Sequence, residues 1–299
     1  SATVEDLFER MSSCGRDVML VPHVGGRYAD LARHKEGLEP VVEVHSAWGT
    51  FEWMLDDAFS RGYRVGIVAN SDGHKGRPGA SYPGASTFGS YGGLTGILAD
   101  KLDRDSIWDA YQQRRVYATT GARILLNVST SDGHSMGDVV PVKTESIPAL
   151  RFSVAGTAPI ERVEIRNGMQ PLKTVRTYKQ SDLTHRVKVL WQGATVRGRG
   201  RQVVWDGGLT VSGNRIASVA EINFWNPDRR CEQVSETELS WKSLTTGGVA
   251  GVILELQDGS SGQMSVTTAQ KSFQCDIQKL GVSGRSFDVG GVGKAISAY

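Results

Sequence analysis

The stretch "RVGIVANSDGHKGRPG", Arg64 to Gly79, sets the fold class of the first part of the chain. An apolar run ends in a polar cluster that holds an Asp and a His two residues apart. A nearly continuous apolar run of this length reads as a strand buried on both faces, the pattern of a parallel sheet. Two upstream segments have the same form: "DVMLVPH", ending at His23, and "PVVEVHS", ending in Glu43, Val44, His45 and Ser46. Between the second of these and Arg64 lies "FEWMLDDAFSRGY". Its Phe51, Met54, Leu55, Ala58 and Phe59 recur at helical spacing. The reading for residues 1–121 is therefore α/β, with polar side chains gathered at the carboxyl ends of strands, where such sheets build their sites.

Past Gly121 the pattern changes to alternation. Val163 and Ile165 in "ERVEIRNG", and Val187, Val189 and Trp191 in "HRVKVLW", are set off by Gly, Asn and Asp turns. Residues 122–299 read as an antiparallel β-sandwich, with those five side chains facing its core. Two domains also suit 299 residues at roughly 150 residues each. The tetrapeptide Ser-Asp-Gly-His recurs at Ser131–His134. There it is flanked by β-type pattern on both sides, and Asp132-Gly133 is a pair suited to a tight turn. The second copy reads as a turn and the first as the one that carries chemistry. "RGRGR", Arg197 to Arg201, reads as an exposed loop, and His34 as a surface helix residue.

Composition excludes several classes. A net charge of +2 is too balanced for a surface that tracks a phosphate backbone. Cys14, Cys231 and Cys275 have no Cys-x-x-Cys spacing, so they predict buried thiols, neither a zinc ribbon nor a disulfide framework. No apolar stretch approaches the roughly 18 residues of a membrane helix. The glycines of "FGSYGGLTG", Phe88 to Gly96, do not fit a dinucleotide fingerprint and read as a loop over the site.

Imidazoles and carboxylates at neighbouring strand ends are the ligand types of zinc, manganese and iron. His23, Asp72 and His74 are the candidate ligands, and Asp72 and His74, two apart on an extended segment, would point the same way. Glu43 and His45 line the same end. Lys75 and Arg77 could hold a substrate phosphate.

The series "VPHVGG", "VEVHSAWGTFE" and "NSDGHKGRPG" resembles the second half of the PHP (polymerase and histidinol phosphatase) domain. The ending "DRDSIWDAYQQRRVYATTGARI" resembles the DUF3604 branch of that superfamily. The resemblance covers roughly Asp17 to Ile124. It implies a distorted barrel holding up to three divalent metals, with His23, Asp72 and His74 as ligands and Glu43 and His45 lining the site. The family's opening His-x-His strand has no counterpart before "TVEDLFERMSS". The expectation is a fragment whose remaining ligands come from a missing N-terminal half, supplied in the same or a separate chain.

With a complete cluster, a metal-activated hydroxide would cleave a phosphoester without a protein nucleophile. The expected function is a metal-dependent phosphoesterase. The alternatives are a hydrolase of a non-phosphate ester or amide, and a non-catalytic binding module built on the sandwich.

Overall fold

The computed structural model describes residues 3–25, 27–74, 76, 90–141 and 148–299. They fall into two compact units. The first takes in the described residues up to Ala47, from Phe51 and from Gly92 to Thr174; the second is chiefly Val175–Tyr299. Strand predominates, and most of the pairing is antiparallel.

The first unit opens with the helix Val4–Ser13. Thr3 caps it, accepting from the Asp6 amide while the Asp6 carboxylate accepts from the Thr3 amide. The strand Val41–Ser46 pairs in parallel with Gly66–Ala69, and the helix Trp53–Ser60 connects them. Met54 and Ala58 are fully buried and Leu55 nearly so, as the spacing predicts, and Phe51 is buried just ahead of the helix; Phe59 is only half-buried, and Trp53, outside the predicted set, is buried as well. The segment Val18–His23 departs from expectation, because it is extended without being a ladder strand. Its Pro22 carbonyl accepts from the Glu43 amide, and Met19 and Val21 pack on a small core of Val41, Val68 and Val116. Pro22 has no amide to donate, which breaks any ladder there.

Leu94–Ile97 pairs antiparallel with Val116–Thr119, and the helix Arg104–Gln112 joins them. These strands do not close into a barrel among the described residues. Within the "SYGGLTG" part of the supposed covering loop, Gly93 is buried and Leu94–Ile97 is strand; Phe88 and Gly89 lie outside the described residues. A Cβ on Gly93 would stand 2.5 Å from Ala69 Cβ and 2.8 Å from the His45 ring, so the glycine is there for close packing.

Beyond Leu125 the first unit continues as ribbons. Leu125–Thr130 pairs with Leu150–Ala155, and Arg162–Asn167 with the following strand from Gln170. Val163 and Ile165 do not belong to the sandwich core: they are only half-buried, on a two-stranded ribbon of the first unit. The charged residues between them behave as alternation requires. Glu164 bridges Arg162 at 2.8 Å and Arg166 at 2.6 Å on the opposite face.

Two further expectations from the first domain fail. His34 lies in no helix; its side chain is buried against Glu39 at 3.0 Å and stacks on Tyr63. Gly37 at φ 86° and the turns around it end any helix before it can form. Cys14 is exposed, while Cys231 is half-buried and Cys275 is buried.

The second unit is a sandwich of two five-stranded antiparallel sheets. One runs in the order Ile216–Ile222, Val249–Leu256, Arg186–Ala194, Val292–Ala298, Arg285–Asp288. The other runs Cys231–Gln233, Glu238–Trp241, Gly207–Ser212, Gln263–Thr268, Ser272–Asp276. Val187, Val189 and Trp191 face the shared core, as expected from their period of two. Trp191 stacks on Trp241 of the opposite sheet, with centroids 4.8 Å apart and planes at 11°. Each buried indole N–H has an acceptor: Trp191 donates to Ser243 Oγ, Trp205 to Thr245 Oγ1 and Trp241 to the Trp205 carbonyl. Arg201, placed in an exposed loop by its sequence context, is only 6% exposed, and burial pushes its guanidinium below its usual range.

Candidate functional site

The parallel pair Val41–Ser46 and Gly66–Ala69 carries Glu43 and His45 and leads into the loop that bears Asp72 and His74, while His23 comes from the segment before it. The register of the pair slips between Glu43 and His45, which places a bulge where the strand reaches the site. Glu43 and His45 are 5% and 3% exposed, deep enough that their polar atoms need partners. Asn70, just past the neighbouring strand, donates from Nδ2 to Glu43 Oε2 at 2.6 Å. The other oxygen, Oε1, is buried and accepts no hydrogen bond among the described residues. Burial raises the Glu43 carboxyl above its usual value of 4.5. The Asn70 hydrogen bond and His23 act against this rise, and Asp72 adds to it.

The loop after Ala69 is the most strained part of the neighbourhood. Asp72 at φ 43° and His74 at φ 49° are both left-handed, a conformation that Asp and His adopt more readily than most side chains but still at a cost. The segment is thus not extended. His74 turns back on Asp72, its Nδ1 lying 2.8 Å from the Asp72 carbonyl and 3.2 Å from Oδ1. Both partners are acceptors, so Nδ1 is the donor in this contact. This is the tautomer-fixing contact that outer-shell groups give to metal-binding histidines. The His23 ring and the Asp72 carboxylate both border Gly25: a Cβ there would lie 3.4 Å from His23 Nε2 and 3.8 Å from Asp72 Oδ2.

His23, Glu43, Asp72 and His74 thus share one neighbourhood, through the contacts of His23 and Asp72 around Gly25, the Asp72–His74 pair and the charge coupling of Glu43 to His23 and Asp72. Among the described residues, no group of three or more His, Cys, Asp or Glu side chains is close enough to hold a metal ion. His45 is held against Gly93. Lys75 and Arg77, the expected phosphate-binding residues, lie outside the described residues. Sequence reasoning missed Asn70 as the partner of Glu43; its position two residues before Asp72 is the signal that could have found it.

The second tetrapeptide is a turn, as read. Gly133 at φ 95° permits it, the Gly133 amide donates to the Thr130 carbonyl, and a single bridge joins Ser129 to Ser135. The Thr130 hydroxyl donates to the Asp132 carboxylate, which occupies that carboxylate locally.

The state of Glu43 has a measurable consequence. A raised folded-state pKa means that the folded chain binds this proton more tightly than the unfolded chain does. The residue therefore favours folding below about pH 4.5, and that contribution is lost as pH rises through the folded value. In chelator-treated buffer at pH 7, Glu43→Gln is expected to stabilise the first unit by about 1 kcal/mol and to flatten its stability between pH 4 and 7. Denaturant melts across that range test it; a variant less stable at pH 7, with an unchanged slope, contradicts it.

A family model described as "Protein of unknown function (DUF3604)" matches residues 81–144. Among curated proteins, an uncharacterized protein of Chlamydia muridarum is 33% identical over 159 residues, a match covering 44% of this chain and 25% of that protein. Uncharacterized proteins of Chlamydia trachomatis and Chlamydia pneumoniae are each 32% identical, over 155 and 157 residues. The matched stretch spans about a quarter of the length of these relatives. No solved structure matches this chain. The family match supports the DUF3604 part of the resemblance; His23, Glu43, His45, Asp72 and His74 all lie ahead of the matched segment. No helix among the described residues is long and apolar enough to cross a membrane.

Proposed function

We propose that this chain contributes part of the metal centre of a PHP-like hydrolase, with a phosphoester as the substrate class. The observation that carries the reading is Glu43: a buried carboxylate with an oxygen that accepts no hydrogen bond among the described residues, coupled electrostatically to His23 and Asp72. A buried carboxylate in that state is costly unless a cation meets it. The donor types fit zinc, manganese or iron, while the number of convergent donors falls short of the three or four that each ion takes from protein. Further ligands therefore come from outside this group of four. A divalent ion held there would bring the pKa of a bound water toward neutrality and polarise a phosphoryl oxygen.

This chain's own residues have distinct parts. His23 and Asp72 would hold the ion, and His74 would offer Nε2 while Asp72 fixes its ring. Glu43, oriented by Asn70, would supply negative charge. Lys75 and Arg77 would meet the substrate phosphate.

Metal titration tests the reading. The chain by itself is expected to bind at most one manganese or zinc ion, weakly, and to turn over a generic phosphate ester little. The combined His23→Ala, Asp72→Asn variant should bind that ion at least about tenfold more weakly. Unchanged metal affinity in the variant would exclude the site. Stoichiometric loading with several ions in the unaltered chain, with full turnover, would show that the further ligands are unnecessary.

A further inference from the structure

Elsewhere in the first unit, an open cleft of about 520 Å³ lies beside the junction of the helix Arg104–Gln112 and the strand Val116–Thr119. Its polar lining comes from Asp100, Arg115, Asn127, Ser135 and Ser153, and its apolar lining includes Leu98 and Tyr117. That size and mixture, a few polar groups on an apolar wall, is typical of small-molecule sites. Apart from Ser153 and Ala155, the lining residues fall within 81–144, the segment that the histidine cluster does not enter.

Rigid parts hold the cleft. Arg114, left-handed at φ 58°, turns the chain from helix to strand and so fixes where Arg115 starts. Tyr117 donates its hydroxyl to the Ile124 carbonyl at 2.8 Å and accepts from the Leu126 amide at 3.3 Å. Gly96 lies under its ring, where a Cβ would come within 2.1 Å of the ring carbons. With its hydroxyl occupied, Tyr117 presents a fixed ring to the cleft.

Arg115 is the cation of the lining. Its Nε is buried and has no acceptor among the described residues, and its ion pair with Asp138 is stretched to 3.8 Å. Arg115 lines the cleft with its side chain 36% exposed, and a guanidinium is suited to a planar carboxylate, which can take two of its donors at once. Asp100 in the same lining penalises a second negative charge, which disfavours phosphate dianions. Leu125, another lining residue, is 70% exposed and would be covered by an apolar ligand body.

We infer that this cleft is a second ligand site, one that takes a monocarboxylate with an apolar body, its carboxylate on Arg115 and its chain along Leu98, Tyr117 and Leu125. Calorimetric titration of the 299-residue chain with hexanoate, and separately with inorganic phosphate, tests it. Hexanoate should bind one to one, at least about tenfold more tightly than phosphate. Arg115→Gln should weaken hexanoate binding about tenfold or more and Asn127→Ala about threefold. Arg162→Gln, whose side chain is already paired with Glu161 and Glu164, should leave it unchanged. If Arg115→Gln unfolds the unit, Asn127→Ala combined with Ser153→Ala carries the test, with about a tenfold loss expected. No hexanoate binding at concentrations on the order of 10 mM overturns the inference. So does equal affinity for phosphate, or hexanoate affinity that the cleft variants leave untouched.

Discussion

Replacing Trp191 by alanine is expected to cost the sandwich unit about 3–5 kcal/mol, the largest loss of any single substitution considered. Trp191 is fully buried and belongs to the core that both sheets share. Its removal opens a cavity, strips the stacking partner from Trp241 and leaves Ser243 Oγ without the N–H it accepts. These losses concern one contact region and so are not additive. Urea denaturation followed by tryptophan fluorescence and by far-ultraviolet circular dichroism measures the cost. A loss below about 1 kcal/mol would show that the core relaxes into the space.

The second large effect is expected at Gly93. Adding a single methyl group there brings it to 2.5 Å from Ala69 Cβ, 2.8 Å from His45 Cδ2 and 2.9 Å from the Thr119 carbonyl. Two of these three neighbours are a strand Cβ and a backbone oxygen, which cannot swing aside as the end of a long side chain can. Gly93→Ala should cost the first unit about 1–3 kcal/mol, and it should displace the His45 ring, the softest of the three. Melting experiments give the first quantity, and the chemical shifts of the His45 imidazole give the second. An alanine variant with native stability would mean that the Leu94–Ile97 strand can shift as a body.

The sandwich was legible from alternation, because a period of two identifies the inward face wherever a sheet has one dry side. Val187, Val189 and Trp191 illustrate this. Val163 and Ile165 carry the same pattern and do not share that fate, since alternation reports a face and does not say whether a second sheet covers it. In the first unit, the parallel pair and its helix followed from apolar runs and helical spacing, and the placement of Glu43 and Asp72 near one another followed from strand ends; His23 joins them from a segment that is not a ladder strand.

Backbone conformation was not legible there. The left-handed Asp72 and His74 turn a supposed shared direction into a mutual contact, and nothing in "NSDGH" distinguishes the two. The burial of His34 on Glu39 and Tyr63 was equally hidden, because its partners come from separate turns of the chain. The Arg115 cleft has no motif at all, since its lining residues are scattered from Leu98 to Ala155.

The parallel indoles of Trp191 and Trp241 also furnish an optical label. Two like chromophores stacked 4.8 Å apart with planes at 11° couple their electronic transitions, so the pair should give an exciton couplet in the circular dichroism spectrum that neither ring gives alone. Because the two rings come from opposite sheets, the couplet exists only while the sheets are docked. Its decay on heating would time the parting of the layers separately from the melting of the strands, in the unmodified protein and without an attached dye.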